Sequence, residues 1–115
     1  LKNILKINKT KHSKIKFTDN IKNGVMKSDC VMTDAWVSMG EKSITKKIFF
    51  KNYQVNNNVM KLAKKNAVFM HCLPAHRGEE VSNNVIDGHQ SIVWQQAENR
   101  MYVQQAILSY IFNKK

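Results

Sequence analysis

Ala67-Val68-Phe69-Met70, a short apolar run, leads directly into His71-Cys72-Leu73-Pro74-Ala75-His76-Arg77-Gly78-Glu79-Glu80. Four apolar residues bounded by polar punctuation read as a buried strand, and the segment after it is the densest group of reactive side chains in the chain. It holds the only proline, one of the two arginines and two of the four histidines. Proline fixes its own φ, and X-Pro is the one bond where a cis peptide is cheap, so this segment reads as a shaped loop. Similar units recur on both sides. Cys30–Thr33 and Ser91–Trp94 read as further strands, and Lys14–Phe17, with its two lysines, as another. Asn20–Ser28, Asn56–Asn66 and a long stretch from about Gln96 to Phe112 read as helices. In the last, Ala97, Met101, Leu108 and Ile111 or Phe112 follow one face, with a gap at Gln104, and Val103, Ile107 and Tyr110 a second, which predicts a helix covered on two sides. Strands alternating with helices predict an α/β fold with a parallel sheet and right-handed crossovers. Ligands of such sheets gather beyond the carboxyl ends of the strands, so the chemistry is expected just after Thr33, Met70 and Trp94.

Composition bounds what the chain can be. Its 115 residues suffice for one domain with a modest core, or for part of a larger unit. An apolar share of 43% excludes a disordered segment, and no apolar run approaches the roughly 20 residues that cross a bilayer. Two cysteines, Cys30 and Cys72, are too few for a disulfide framework and suit a reducing interior. With Leu at position 1 and no basic-then-apolar leader, no secretory signal is expected. The net charge of +11 is front-loaded: residues 1–27 carry eight lysines against one aspartate, while residues 67–115 balance four bases with four acids. Lysine is interleaved with asparagine, and arginine, the residue suited to bidentate phosphate and base contacts, occurs only at Arg77 and Arg100. The basic excess therefore reads as solvated faces rather than a nucleic-acid site.

Each predicted strand end carries distinctive residues. Asp34 follows Thr33 at once, in Asp34-Ala35-Trp36-Val37-Ser38-Met39-Gly40; a carboxylate there can bind an ammonium group, or Asp34 or Ser38 can cap a following helix. After Met70, three chemistries compete. His71, Cys72 and His76 are metal-binding types, but the paired spacing of a structural zinc site is missing. A cysteine nucleophile is disfavoured because neighbours in an extended segment point to opposite faces, leaving His71 badly placed to deprotonate Cys72. The third option is a loop in which Cys72 and nearby carbonyls meet an amine or amide. Alternatively, Cys72 is simply a small buried residue and Arg77 pairs with Glu79 or Glu80. After the fourth strand, Glu98-Asn99-Arg100 is expected to open the long helix, placing Arg100 as an anion site in a first turn or in a surface ion pair with Glu98.

Together, the His71–Val81 segment, Asp34-Ala35-Trp36-Val37-Ser38-Met39-Gly40, Tyr53-Gln54-Val55-Asn56, Val85-Ile86-Asp87-Gly88 and Ala97-Glu98-Asn99-Arg100 closely resemble the ornithine carbamoyltransferases, one branch of the aspartate/ornithine carbamoyltransferase family. The likeness keeps the order of five motifs from about Ser28 to Leu108 and is weak over the first 27 residues. It implies a Rossmann-like parallel sheet flanked by helices, forming part of one domain of a two-domain, cytoplasmic, homotrimeric enzyme that needs no cofactor or metal. It also implies transfer of a carbamoyl group from carbamoyl phosphate to the δ-amine of L-ornithine, giving citrulline and phosphate. By similarity, Asp34 would hold the α-amino group of ornithine, with Ser38 and Met39 in the loop that closes over it. Cys72 would lie near the reacting δ-nitrogen, Leu73 would offer its carbonyl to the carbamoyl amide across a cis bond to Pro74, and Arg100 would contact carbamoyl phosphate. His89 receives no role.

The resemblance is to the C-terminal, ornithine-binding part alone. The family's Ser-x-Arg-Thr phosphate loop and His-Pro-x-Gln segment do not occur: the arginines are followed by Gly78 and Met101, and no histidine precedes a proline. The expectation is thus a carbamoyltransferase fragment, residues 1–115, that does not turn over alone. The alternatives are a non-catalytic interaction module and a basic nucleic-acid binder, the latter with affinity that falls steeply with salt.

Overall fold

The computed structural model describes residues 15–37, 40 and 44–113. Ser38, Met39 and Lys14 lie outside the described residues. Helix α1 (Ile21–Val25) leads into strand β1 (Cys30–Thr33). Helix α2 (Ile44–Phe50), a 3₁₀ turn (Lys51–Tyr53) and helix α3 (Asn57–Met60) then lead into strand β2 (Val68–His71), followed by α4 (Asn83–Ile86) and the long α5 (Val93–Phe112). The two strands pair in parallel, with Cys30 opposite Val68 and Thr33 opposite His71. The α/β expectation, a parallel sheet with helices packed around it, is what the chain forms.

Burial on β2 alternates with a period of two, as a strand demands. Phe69 and His71 are fully buried on one face, whereas Val68 and Met70 are half-buried on the other. Phe69 anchors a cluster of Val31, Val55, Met60, Val81, Val85, Ile86 and Val93. A second parallel pairing, Val55 with Val81, is held by the Val55 N–H donating to the Glu80 carbonyl at 2.9 Å and the Ser82 N–H donating to the Val55 carbonyl at 3.0 Å.

Several expected elements come out differently. Ser91–Trp94 is not a strand: only Ser91 bridges to Phe69, fixed by the Ile92 N–H donating to the Phe69 carbonyl at 3.0 Å, and α5 starts at Val93. An apolar run of four cannot distinguish a strand from the first turn of a buried helix. Ile15–Phe17 is irregular and Phe17 is exposed, so no strand forms where the lysines alternate with the apolar residues. Helix α3 is shorter than the periodicity over Asn56–Asn66 suggests. Beyond its end the Leu62 carbonyl accepts from the Lys27 N–H at 3.2 Å and the Lys64 N–H donates to the Ser28 carbonyl at 3.1 Å, so the chain pairs with the turn before β1 instead of continuing the helix. Helix α5 is not covered on two sides by the described residues. Only Val93 is buried, and Met101, Val103, Ile107, Leu108, Tyr110 and Ile111 are exposed.

Caps and close approaches fix the joints. The Asn56 side chain accepts from the N–H groups of Asn58 and Val59, at 3.0 and 3.2 Å, starting α3 directly after the Val55 pairing. At Gly88, a Cβ would meet the Asn84 carbonyl oxygen at 2.5 Å, so the turn closing α4 has no room for a side chain. Asn56→Ala, which removes two hydrogen bonds from otherwise unpaired helix donors, is expected to lower the unfolding free energy by about 1 kcal/mol, read as a fall in the urea midpoint at unchanged m-value.

Candidate active site

Parallel pairing with Thr33 opposite His71 makes the next residues, Asp34 and Cys72, neighbours across the strand ends. The Cys72 thiol donates to Asp34 Oδ1 at 2.9 Å, and the same oxygen accepts from the Ala35 N–H at 2.7 Å. These two bonds hold the Asp34 carboxyl below the usual carboxylate range, with the Cys72 thiol the larger cause. The converse holds for Cys72: its bond to Asp34, then burial, push the thiol above its ordinary value, outweighing the opposing charge of Arg100. The thiol is thus kept protonated beside a carboxylate kept ionised.

Arg100 reaches the same place from α5. Its Nη2 donates to the carbonyl oxygen of Cys72. Arg100 is the eighth residue of a helix that begins at Val93, so the first-turn anion site expected from sequence is not formed. Nor does it pair with Glu98, whose carboxylate accepts from the Tyr102 hydroxyl at 3.1 Å. Among the described residues Asp34 caps no helix; its Oδ1 accepts from the Ala35 N–H and the Cys72 thiol. Trp36 instead ties this segment to the aromatic group of α2 and its 3₁₀ turn, with its ring 6.4 Å from Phe50, itself 6.3 Å from Tyr53. Arg77 pairs with Asp87 through both terminal guanidinium nitrogens, Nη1 and Nη2, rather than with Glu79 or Glu80.

The loop from Cys72 to Ala75 has a constrained backbone. Leu73 has φ of 53°, a left-handed conformation that costs a leucine roughly 1 kcal/mol or more, and the Leu73–Pro74 peptide is cis. Beneath the loop, His71 Nδ1 accepts from the Leu73 N–H at 2.9 Å, while the His71 N–H donates to Gln96 Oε1 of α5 at 3.0 Å. His71 and Cys72 lie on opposite faces, as the alternation of an extended segment requires, so the imidazole is not the base of Cys72. Among the described residues a different trio, His76, Glu79 and Glu80, brings its ligand-type atoms within 4.8 Å of one another, but Glu79 already pairs with Lys47. His71, Cys72 and His76 are therefore not gathered as a ligand set. Gln54, part of a motif quoted for the resemblance but given no role there, braces the loop's far end by donating from Nε2 to the carbonyls of Gly78 and Glu79, each at 2.8 Å.

The three groups Asp34, Cys72 and Arg100 stand on an open margin. A cavity of about 650 Å³ lies elsewhere, between α3 and α4, against Met60, Lys64, Val85 and Gln90. Another, of about 360 Å³, lies against Asn20, Val31, Met32 and Tyr53. Neither is lined by the three, so the chemistry and not the concavity selects the site. Replacing Asp34 by Asn exchanges the carboxylate that accepts from the Cys72 thiol for a neutral, weaker acceptor and removes the adjacent negative charge, the two effects by which Asp34 raises the thiol. The thiolate fraction at neutral pH therefore rises, and alkylation of Cys72 by iodoacetamide is expected to speed up several-fold while that of exposed Cys30 stays unchanged, as read on separate tryptic peptides by mass spectrometry.

Residues 1–111 match the family described as aspartate/ornithine carbamoyltransferase, Asp/Orn binding domain, including the first 27 residues where the motif-level likeness is weak. The chain is 58% identical over 99 residues to the ornithine carbamoyltransferase of Ruthia magnifica, covering 84% of this chain and 33% of that protein. Against that of Pyrobaculum calidifontis it is 54% identical over 103 residues, covering 88% of this chain and again 33% of the relative. Among solved structures, the ornithine carbamoyltransferase from Pyrococcus furiosus superimposes with a TM-score of 0.73 at 46% identity, over 77% of this chain and 29% of that one. The Giardia lamblia enzyme gives 0.82 at 32% identity over 99% of this chain and 36% of its own. The chain thus spans about a third of the length of the curated relatives it matches. With its strand-end motifs in place on a parallel sheet and the match running over nearly its whole length, this chain belongs to the aspartate/ornithine carbamoyltransferase family.

Proposed function

We propose that this chain is the ornithine-binding part of an ornithine carbamoyltransferase, which transfers the carbamoyl group of carbamoyl phosphate to the δ-amine of L-ornithine, giving L-citrulline and phosphate. The observation that carries this reading is the convergence of Asp34, Cys72 and Arg100 on one sheet margin. The names of the relatives agree with it.

The chemistry suits the residues. A diamino acid has to be held by one ammonium group while the other loses its proton, because only a free amine attacks a carbonyl carbon. Asp34, kept ionised by its hydrogen bonds, is matched to the α-ammonium. Cys72, kept as a neutral thiol, faces the δ-nitrogen without adding a negative charge that would hold that amine protonated. The Leu73 carbonyl accepts from the carbamoyl amide. Arg100, oriented by its bond to the Cys72 carbonyl, faces the carbamoyl phosphate and stabilises negative charge as the tetrahedral intermediate forms and phosphate leaves. Ser38 and Met39 would close over ornithine and exclude water, a role that rests on the resemblance.

In this reading the other two thirds of the enzyme's length carry the phosphate-gripping motifs, the assembly is a cytoplasmic homotrimer, and the chain by itself is inactive. The test is citrulline formation by the polypeptide that carries this chain together with those motifs. There, Asp34→Ala is expected to raise the KM for ornithine at least about tenfold, the loss of one charged contact, with little change for carbamoyl phosphate. Arg100→Ala should lower kcat by roughly 10²–10³, the usual cost of one such donor. Equal effects of Asp34→Ala on both substrates would refute the amine contact. Absence of citrulline from a folded protein carrying every motif would refute the function.

A further inference from the structure

His71 and Glu80 are the two fully buried polar side chains of the described residues. Both side chains are buried in the core beneath the loop rather than exposed at the margin. A carboxyl group buried in a core is costly unless its oxygens are paired, and this one is paired only in part. Glu80 Oε1 accepts from the His76 N–H and lies 3.3 Å from His71 Nε2, off the line of a hydrogen bond, while Oε2 has no hydrogen-bond partner and sits 3.8 Å from His76 Nδ1. Replacing a buried ion pair by a well-packed apolar pair is often neutral or stabilising, so burial of such a pair is weak evidence for a purely stabilising role.

Their bonds point instead to the loop. His71 Nδ1 accepts from the Leu73 N–H, which fastens the imidazole to the loop, with Nε2 3.3 Å from Glu80 Oε1. One end of the loop is therefore tied by the imidazole at Leu73, and the other by the carboxylate at His76. The Leu73 tie lies at the residue with φ of 53°, the one place in the loop where a specific bond is needed to offset a disfavoured backbone.

We propose that His71 and Glu80 are positioning residues, a buried clamp that fastens both ends of the Cys72–Ala75 loop to the core and so aims the Cys72 thiol at Asp34 and the Cys72 carbonyl at Arg100. The clamp's value for catalysis rests on the reading of the site as a carbamoyltransferase half-site; its geometry does not.

Two pairs of variants separate the clamp from mere packing. His71→Phe and Glu80→Leu fill the space but remove the acceptors; His71→Asn keeps an acceptor near the Nδ1 position and Glu80→Gln keeps one at Oε1. The readout is the pH dependence of Cys72 alkylation by iodoacetamide on the tryptic peptide Asn66–Arg77, measured well below the unfolding transition. A freed loop loses the bond between Cys72 and Asp34, and the thiol returns toward its ordinary range. His71→Phe and Glu80→Leu should then shift the profile to lower pH and speed neutral-pH alkylation several-fold, with the two acceptor-keeping variants close to the parent. Folded His71→Phe and Glu80→Leu proteins with the parent profile, or four variants that shift alike, would overturn the clamp. Should the apolar variants not fold, hydrogen exchange in the unsubstituted protein decides: protected Leu73 and His76 amides support the clamp, and freely exchanging ones refute it. No substrate enters these measurements, so they fail or succeed independently of the citrulline assay.

Discussion

Parallel pairing of β1 with β2, with Thr33 set opposite His71, is the constraint on which the site depends. Register in a sheet is quantised in residues, and a slip of one would send every side chain of β2 to the other face. Phe69 would leave the core and Cys72 would lose Asp34. The apolar cluster around Phe69 therefore does more than stabilise the sheet: by locking the register, it sets the distance between a carboxylate and a thiol 38 positions apart in the chain.

That pair gains its chemistry from contact. Alone at a surface, an aspartate and a cysteine titrate in their ordinary ranges. Bonded to one another, the carboxyl is driven down and the thiol up, giving an anion and a neutral donor side by side. The third group, Arg100, arrives through the placement of α5, whose Gln96 accepts from the His71 N–H one turn before Arg100 donates to the Cys72 carbonyl. Strand, loop and helix are thus laced together at two consecutive residues, His71 and Cys72, one facing the core and one the margin.

The margin is open and α5 is largely uncovered, with Met101, Leu108 and Ile111 exposed together with Val103, Ile107 and Tyr110. Both facts agree with a chain that spans a third of the length of its relatives. None of the described helices is long and apolar enough to cross a membrane. The lysines are not all idle surface charge: Lys64 pairs with Asp29 at 2.6 Å, at the turn where the chain leaves α3.

Much is legible in the sequence because it is written locally. Cys30–Thr33 is a strand as its apolar run indicates, β2 lies within one residue of its predicted place, and Asn20 and Asn56 cap helices where the polar punctuation stands. The rule that ligands meet parallel sheets at strand ends points to Asp34 and Cys72 from residue order alone. Other features have no local signal. Ser91–Trp94 reads equally as strand or helix, and only its single pairing to Phe69 followed by the start of α5 decides. Helices α2 and α4 lack a clear periodic signature; Ser82 at the start of α4 is the one hint, and its hydroxyl makes no capping bond. The partners of Arg77 and Arg100, the brace at Gln54 and the burial of His71 and Glu80 are contacts between residues far apart in sequence or on hidden faces. Residue types and their spacing placed reactive groups just after two strands and left their chemistry open, and only the family motifs narrowed it. Packing alone decided which of those groups touch, because side-chain distances, burial and the resulting protonation states depend on the register and helix placement that long-range contacts impose.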